Sequence, residues 1–153
     1  MKIKLITVGR KPAEWLQIGF ENYAKRMPKD MQLQLVELTP KKHKDIKKAL
    51  SEESQLILKQ IDNLDWVVVL DERGKLLDSK QLALQLKGWR EEGITTVFVI
   101  GSVDGLHADV KSRANQLLSL SKLTLPHQLV RVVLAEALYR AWSIYSGHPY
   151  HRE

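Results

Sequence analysis

Cysteine is absent from this chain. Its absence removes disulfides, thiolate catalysis and cysteine-ligated zinc together, and it fits a reducing, cytoplasmic setting. No apolar run approaches the ~18 residues that would suggest a membrane span; the longest candidate, Leu129 to Trp142, is broken by Arg131, Glu136 and Arg140. The opening MKIKLITVGRK has too short an apolar stretch for a secretory signal and no small-residue cleavage site. Neither G-x-G-x-x-G nor G-x-x-x-x-G-K-[ST] occurs, which argues against NAD and P-loop chemistry. Repeats, low-complexity stretches and a linker long enough to divide two domains are also missing.

What is present suits one folded domain, residues 1–153. The length lies within the range of a single core, and 44% hydrophobic against 27% charged residues argues against disorder. The net charge of +6 favours a polyanionic partner such as nucleic acid.

Strand and helix patterns alternate from end to end. Lys2–Val8 and Gln32–Leu38 alternate polar and apolar residues as half-buried strands do. Trp66–Leu70 and Thr95–Ile100 are continuously apolar, as strands covered on both faces are. A short fifth strand is expected near Leu117–Leu120. Between them, Leu16, Phe20, Tyr23 and Met27 mark a helix that Pro28 ends. A second helix runs from about Asp45 to Ile61, with Ile46, Leu50, Ile57 and Ile61 inward. Leu82, Leu86 and Trp89 mark a third, Leu106–Asn115 a fourth and Gln128–Ser146 the last. This order predicts an α/β fold, a mostly parallel sheet with helices on both faces.

Ligands of open α/β sheets bind beyond the carboxyl ends of the strands. Three loops stand there: Leu70–Lys75, Gly101–Gly105 and Ser119–His127. Glycines directly after a buried strand allow close backbone approach, so the second loop suits a nucleotide-like ligand. In the third loop, Leu120, Ser121, Lys122, Leu123, Thr124 and Leu125 alternate leucines with small or polar groups. Their backbone is suited to reading an adenine edge while the leucines pack on the ring. Each loop alone reads better as an ordinary strand-to-helix turn, but three of them on one edge of one sheet point to a pocket.

The final helix is apolar around most of its circumference and must be covered on most sides. A symmetric second copy is one way to cover it, and the centre of a monomer is another. Glu136 and Arg140 are spaced as an acid-first i,i+4 pair. The tail that follows carries His148, Tyr150, His151 and Arg152: two imidazoles, a stacking ring and a guanidinium. Two histidines without a third well-spaced ligand argue against a metal site. Lys25, Arg26, Lys29 and the cations of Lys41–Lys48 are candidates for phosphate contacts.

TLPHQLVRVVLAEALYRAWSI and the closing HPYHRE together resemble the C-terminus of the ribosomal RNA large subunit methyltransferase H family, single-domain members of the SPOUT methyltransferases. The resemblance extends to KIKLITVGR, to W-x-x-x-G-F-x-x-Y at Trp15–Tyr23, and to the LDERGK, IG-x-x-x-G and SLSKLTLPH loops. It implies an α/β knot fold with a C-terminal trefoil knot, and a homodimer that uses S-adenosylmethionine. The implied product is N3-methylpseudouridine in large-subunit ribosomal RNA. By position it places cofactor contacts on Leu70, Gly101 and Leu120 to Leu125. Catalysis and RNA contact fall on Tyr150, His151 and Arg152 with Arg140 nearby, completing the site of the opposite subunit. His151 is the candidate base and Arg152 the candidate anion holder. One departure stands out: Ser102 replaces the family's second glycine and puts a Cβ where a glycine conformation is expected, which would weaken cofactor binding. Two competing readings are a non-catalytic RNA- or ribosome-binding module that keeps the fold, and a doubly wound enzyme acting on small molecules.

Overall fold

Val67, Val68, Val69, Val97, Phe98 and Val99 are all fully buried because both faces of the strands that carry them are covered. Val68 and Phe98 point into one core with Phe20, Leu86, Leu134 and Leu138. Val67, Val69, Val97 and Val99 point into a second with Ile57 and Val110. The computed structural model describes residues 1–102 and 104–152. Its elements are β1 (Ile3–Val8), α1 (Glu14–Ala24), β2 (Leu33–Leu38), α2 (Ile46–Leu58), β3 (Trp66–Leu76), α3 (Ser79–Glu92), β4 (Thr96–Ile100), α4 (Ala108–Arg113), β5 (Gln116–Ser119) and α5 (His127–Ser146), with short 3-10 turns at Lys29–Met31 and Pro149–His151.

The strands form one sheet in the order β2-β1-β4-β3-β5, and every pairing is parallel. Helices α1, α3 and α5 cover one face; α2 and α4 cover the other. The α/β architecture with a parallel sheet is therefore the one the alternating pattern predicts. Local signals agree with it. Asp78 and Gln81 form a reciprocal capping box at the start of α3, both bonds 2.8 Å, an arrangement worth about 1 kcal/mol. Gly93 and Gly147 end α3 and α5 in the left-handed conformation that glycine adopts freely.

Two expectations need correction. Ile46 is 57% exposed, not inward; it is the first residue after the Asp45 N-cap, at the tip of the helix. The third strand does not stop at Leu70 but continues to Leu76. Leu70 and Lys75 both pair with Leu118, so the chain between them leaves the ladder and returns. It returns very close to β5: a Cβ on Gly74 would lie 2.7 Å from backbone atoms of Leu117 and Leu118. Only glycine fits there.

Helix α5 crosses one face between α1 and α3. Leu134 and Leu138 are fully buried, each worth ~1.5–3 kcal/mol. Leu129, Val130, Val132, Val133 and Ile144 are partly buried, so much of its apolar surface is covered within one chain. The helix starts where β5 ends, at the carboxyl edge of the sheet. It finishes at the amino edge, where the Tyr145 hydroxyl lies 3.1 Å from Met31 Sδ, just ahead of β2.

Candidate functional site

The stretch of β3 that leaves the ladder after Leu70 and the loops after β4 and β5 bound a cavity of about 420 Å³. The excursion of β3 between Leu70 and Lys75 is shaped by Asp71, whose carboxylate accepts the Arg73 backbone N–H at 2.9 Å and pairs with Lys111 of α4 at 3.4 Å. Chiefly that backbone bond, with Lys111 behind it, holds the Asp71 carboxyl below the usual carboxylate range. Thr124 donates to Glu72 at 3.3 Å, tying the first loop to the third. In the third loop Ser119 donates to the Ser121 carbonyl, and the Ser121 hydroxyl accepts the Leu123 N–H, both at 2.9 Å.

The loop after β4 is a tight reversal. Gly105 N–H donates to the Ser102 carbonyl at 2.9 Å, with Gly105 at φ 88°. A Cβ on Gly101 would lie 2.7 Å from both the Gly105 carbonyl oxygen and Leu106 Cγ. Ser102 is accommodated without a glycine conformation; Arg152 alone among the described non-glycine residues has positive φ. The Ser102 hydroxyl donates to Glu53 of α2 at 3.2 Å. Glu53 is buried, and burial raises its carboxyl above the ordinary range while the Ser102 bond opposes the rise. The expectation that Ser102 strains this loop is thus corrected: its Cβ is tolerated and its hydroxyl satisfies a buried acid.

Of the residues assigned to the cofactor, Leu70, Gly101, Leu120, Ser121, Leu123, Thr124 and Leu125 line the cavity. Lys122 does not line it and is exposed. His127, the first residue of α5, does line it. Its ring stands beside Gly9, at φ 127°, where an added Cβ would be 3.8 Å from Nε2. Burial first, and the Arg131 charge second, lower its pKa below the ordinary imidazole value. Sequence reasoning gave His127 no role beyond closing a loop. Its position one turn ahead of Arg131 is the signal that was available.

The tail residues gather elsewhere. The Tyr150 ring packs on Tyr139, centroids 4.7 Å apart, and on the Arg140 guanidinium at 5.1 Å. His151 Nδ1 lies 3.2 Å from the Ser143 hydroxyl. Arg152 is exposed at φ 52°. Arg140 Nε donates to Glu136 at 2.8 Å, the expected i,i+4 pair, and that bond raises its pKa. None of Arg140, Tyr150, His151 and Arg152 lines the cavity. The structure brings the cofactor residues together and the tail residues together, but the two sets do not meet within one chain. A 20-residue helix is about 30 Å long; the cavity lies at its first turn and the tail against its second half. Glu153 lies outside the described residues.

The two cationic groups also separate. Arg26 lies near the tail, its guanidinium 5.6 Å from the Tyr23 ring and 5.8 Å from that of Tyr139. Lys41–Lys44 follow β2 and so stand at the carboxyl edge, the same edge as the cavity. Among the described residues no helix is long and apolar enough to cross a membrane, and no three His, Asp or Glu side chains cluster as metal ligands would.

Comparison with known proteins gives a consistent result. Residues 1–151 match the family model described as "Predicted SPOUT methyltransferase". The chain is 49% identical over 156 residues to ribosomal RNA large subunit methyltransferase H of Hahella chejuensis, covering all of both chains. It is 44% identical over 155 residues to the protein of the same name from Paraburkholderia phymatum, covering 99% of each. A solved probable methylase family protein from Haemophilus influenzae Rd KW20 shares the fold, with a TM-score of 0.57 at 17% identity over 97% of this chain and 69% of that one. The three-loop cavity, the parallel sheet and these full-length matches place the chain in the SPOUT methyltransferase family.

Proposed function

We propose that this chain transfers a methyl group from S-adenosylmethionine to N3 of a pseudouridine in large-subunit ribosomal RNA. It works as one domain, residues 1–153, in a cytoplasmic homodimer, on RNA within the ribosome. The observation that carries this reading is the cavity bounded by the three loops. Its volume of about 420 Å³ falls within the ~300–1,000 Å³ typical of small-molecule sites.

The residues present fit the cofactor. Leu70, Leu106, Leu120 and Leu125 give apolar walls for an adenine ring. Gly101 lets backbone approach where any side chain would collide. Asp71, Glu72 and Asp104 outnumber Arg73 and Lys111 on the walls, a balance that favours a sulfonium cation. S-Adenosylmethionine, when bound, supplies an electrophilic methyl group. Leu70, Gly101 and the Leu120–Leu125 loop would hold it, the last mainly through backbone groups. The trefoil knot implied by the family is part of this reading, and the return of β3 past β5 at Gly74 supports it.

The separation of tail and cavity supports the homodimer in this reading. A second copy with its α5 running antiparallel carries its Tyr150, His151, Arg152 and Arg140 toward this cavity. Trp15 and Ile18, 67% and 57% exposed on α1 beside α5, supply apolar surface for such a pairing. There Tyr150 would stack on a base and Arg152 would hold a phosphate.

Incubation with labelled S-adenosylmethionine and ribosomes from a strain lacking the modification tests the reading. Label on one pseudouridine of large-subunit RNA is expected. Cofactor binding with no label on any ribosomal RNA would overturn it in favour of a non-catalytic module.

A further inference from the structure

The cavity contains one imidazole with nothing to do. His127 lines it, yet its ring makes no hydrogen bond among the described residues. Every other basic candidate on these walls is engaged or peripheral. Asp71 is taken by Lys111 and the Arg73 N–H. Glu72 accepts from Thr124. Asp104 is exposed on the rim. His151 lies off these walls within its own chain, and in either copy of the proposed dimer its Nδ1 is engaged 3.2 Å from the Ser143 hydroxyl.

The position of His127 is fixed. It is the first residue of α5, and its ring stands against Gly9. Gln128, next in line, donates to the Arg10 carbonyl at 3.4 Å, pinning the loop after β1 to the helix start. One turn further on, Arg131 is buried and paired with Glu37 of β2 at 3.3 Å.

We propose that His127 accepts the proton that leaves the target base during methyl transfer, a task that the tail resemblance assigned to His151. The inference rests on the methyl-transfer reading above. Methylation of an imide nitrogen requires that its N–H bond break. The proton passes to a ring nitrogen of His127, and the nitrogen lone pair forms the new bond to the methyl carbon. The electron pair of the broken carbon–sulfur bond stays on sulfur. The imidazolium then returns its proton to solvent.

The surroundings keep the imidazole in the accepting form. Burial and Arg131 both disfavour the cation, which favours the neutral ring. The charges facing it are Arg131 on its own helix, Glu37 behind Arg131, and the cavity-wall groups named above. A neutral, held imidazole beside the cofactor cleft is what a general base requires.

The test compares wild type with His127→Gln and His127→Asn, which keep a polar side chain but cannot take the proton. Three readouts are used: adenosylhomocysteine affinity by calorimetry, the His127 titration by NMR, and single-turnover transfer to unmodified ribosomes across pH. Wild-type His127 should titrate below the ordinary ~6.5, and its rate should rise with pH and level off above that midpoint. Both variants should bind adenosylhomocysteine within about threefold of wild type. Their transfer should be slowed about 100-fold or more, with a rate that keeps climbing with pH because hydroxide must remove the proton. Variants with wild-type rate and the wild-type plateau would overturn the assignment while leaving the enzyme reading intact. A loss of rate matched by an equal loss of adenosylhomocysteine affinity would also overturn it, since His127 would then only shape the cleft. Wild-type protein that labels no ribosomal RNA would remove the enzyme reading, and the assignment with it.

Discussion

The Tyr150 hydroxyl donates to Oε1 of Glu136 at 3.2 Å, and the same oxygen accepts the Arg140 Nε–H at 2.8 Å. One carboxylate thereby anchors the tail to α5. Burial first, with the neighbouring Tyr23 and the Glu136 carboxylate behind it, raises the Tyr150 phenol well above its ordinary pKa, so it stays a donor at any physiological pH. The tail is therefore docked in a defined place rather than frayed, which is unusual for a chain terminus.

Deleting residues 150–153 should abolish methyl transfer while leaving the fold and the dimer in place. The deletion removes the Tyr150 ring contacts with Tyr139 and Arg140, its hydrogen bond to Glu136 and the His151–Ser143 contact, a loss of about 1–3 kcal/mol in urea unfolding. The two cores lie wholly upstream and remain. Adenosylhomocysteine affinity should change little, because no tail residue lines the cavity of its own chain. Full transfer activity in the truncated protein would refute the tail's role.

Gly101→Ala tests the cleft itself. The new Cβ would meet the Gly105 carbonyl oxygen and Leu106 Cγ at 2.7 Å. The reversal after β4 must open by several tenths of an ångström, at a cost of about 1–3 kcal/mol. Cofactor affinity by calorimetry should fall about tenfold or more, because the displaced loop is a wall of the cavity. Gly88, a half-buried position in α3 with nothing within 4 Å of an added Cβ, is the control: Gly88→Ala should leave affinity unchanged and add up to about 1 kcal/mol of stability.

Much of this was legible before any coordinates. Continuous apolar runs read as strands covered on both sides because Val67 to Val69 and Val97 to Val99 have side chains in two cores at once. Two of the three cleft segments were legible because each follows such a run, and the third because it follows the short strand expected near Leu117–Leu120. The return of β3 at Gly74 was not. LDERGK has no strand period, and the ladder resumes only because β5 lies beneath it, a contact between residues over 40 positions apart. Ile46 misled because an apolar residue at a helix tip has the right period and no core below it. The distance between tail and cavity was also hidden, because it depends on the direction in which α5 crosses the sheet. His127 was overlooked since one histidine at a loop end carries no pattern of its own.

Glu53→Gln should stabilise the protein, and more so at high pH. Burial raises the Glu53 carboxyl, so the folded state holds its proton more tightly than the unfolded chain. That contribution is complete below the unfolded value of about 4.5 and is lost as pH rises through the raised folded value. Above that raised value wild type buries an ionised acid, whereas the amide variant still accepts the Ser102 hydroxyl. Melting temperature should rise by about 1–3 °C at pH 8, and the gap should close near pH 4.5. Ser102→Ala should move wild type the other way, because it removes the bond that opposes the rise. A Glu53→Gln protein less stable than wild type at pH 8 would show that the ionised acid is satisfied where it lies.

Arg131 and Glu37 should respond asymmetrically, and the His127 ring should report the difference. The Arg131 side chain is 5% exposed and that of Glu37 44%. Arg131 Nε has no hydrogen-bond partner among the described residues. Arg131→Met removes a buried charge and leaves a carboxylate that water can reach, so its loss of stability should stay below about 1 kcal/mol. Glu37→Gln leaves the buried guanidinium without its counter-charge and should cost about 1–3 kcal/mol, less than for a fully buried pair because water reaches Glu37. The two variants should shift His127 in opposite directions. Removing the Arg131 cation relieves the lesser cause of its lowered pKa, so the midpoint should rise while staying below the ordinary value, since burial persists. Removing Glu37 uncovers the Arg131 charge and should lower the midpoint further. NMR titration of the labelled ring reads both shifts directly. Shifts of the same sign would show that the Arg131 charge does not reach the ring.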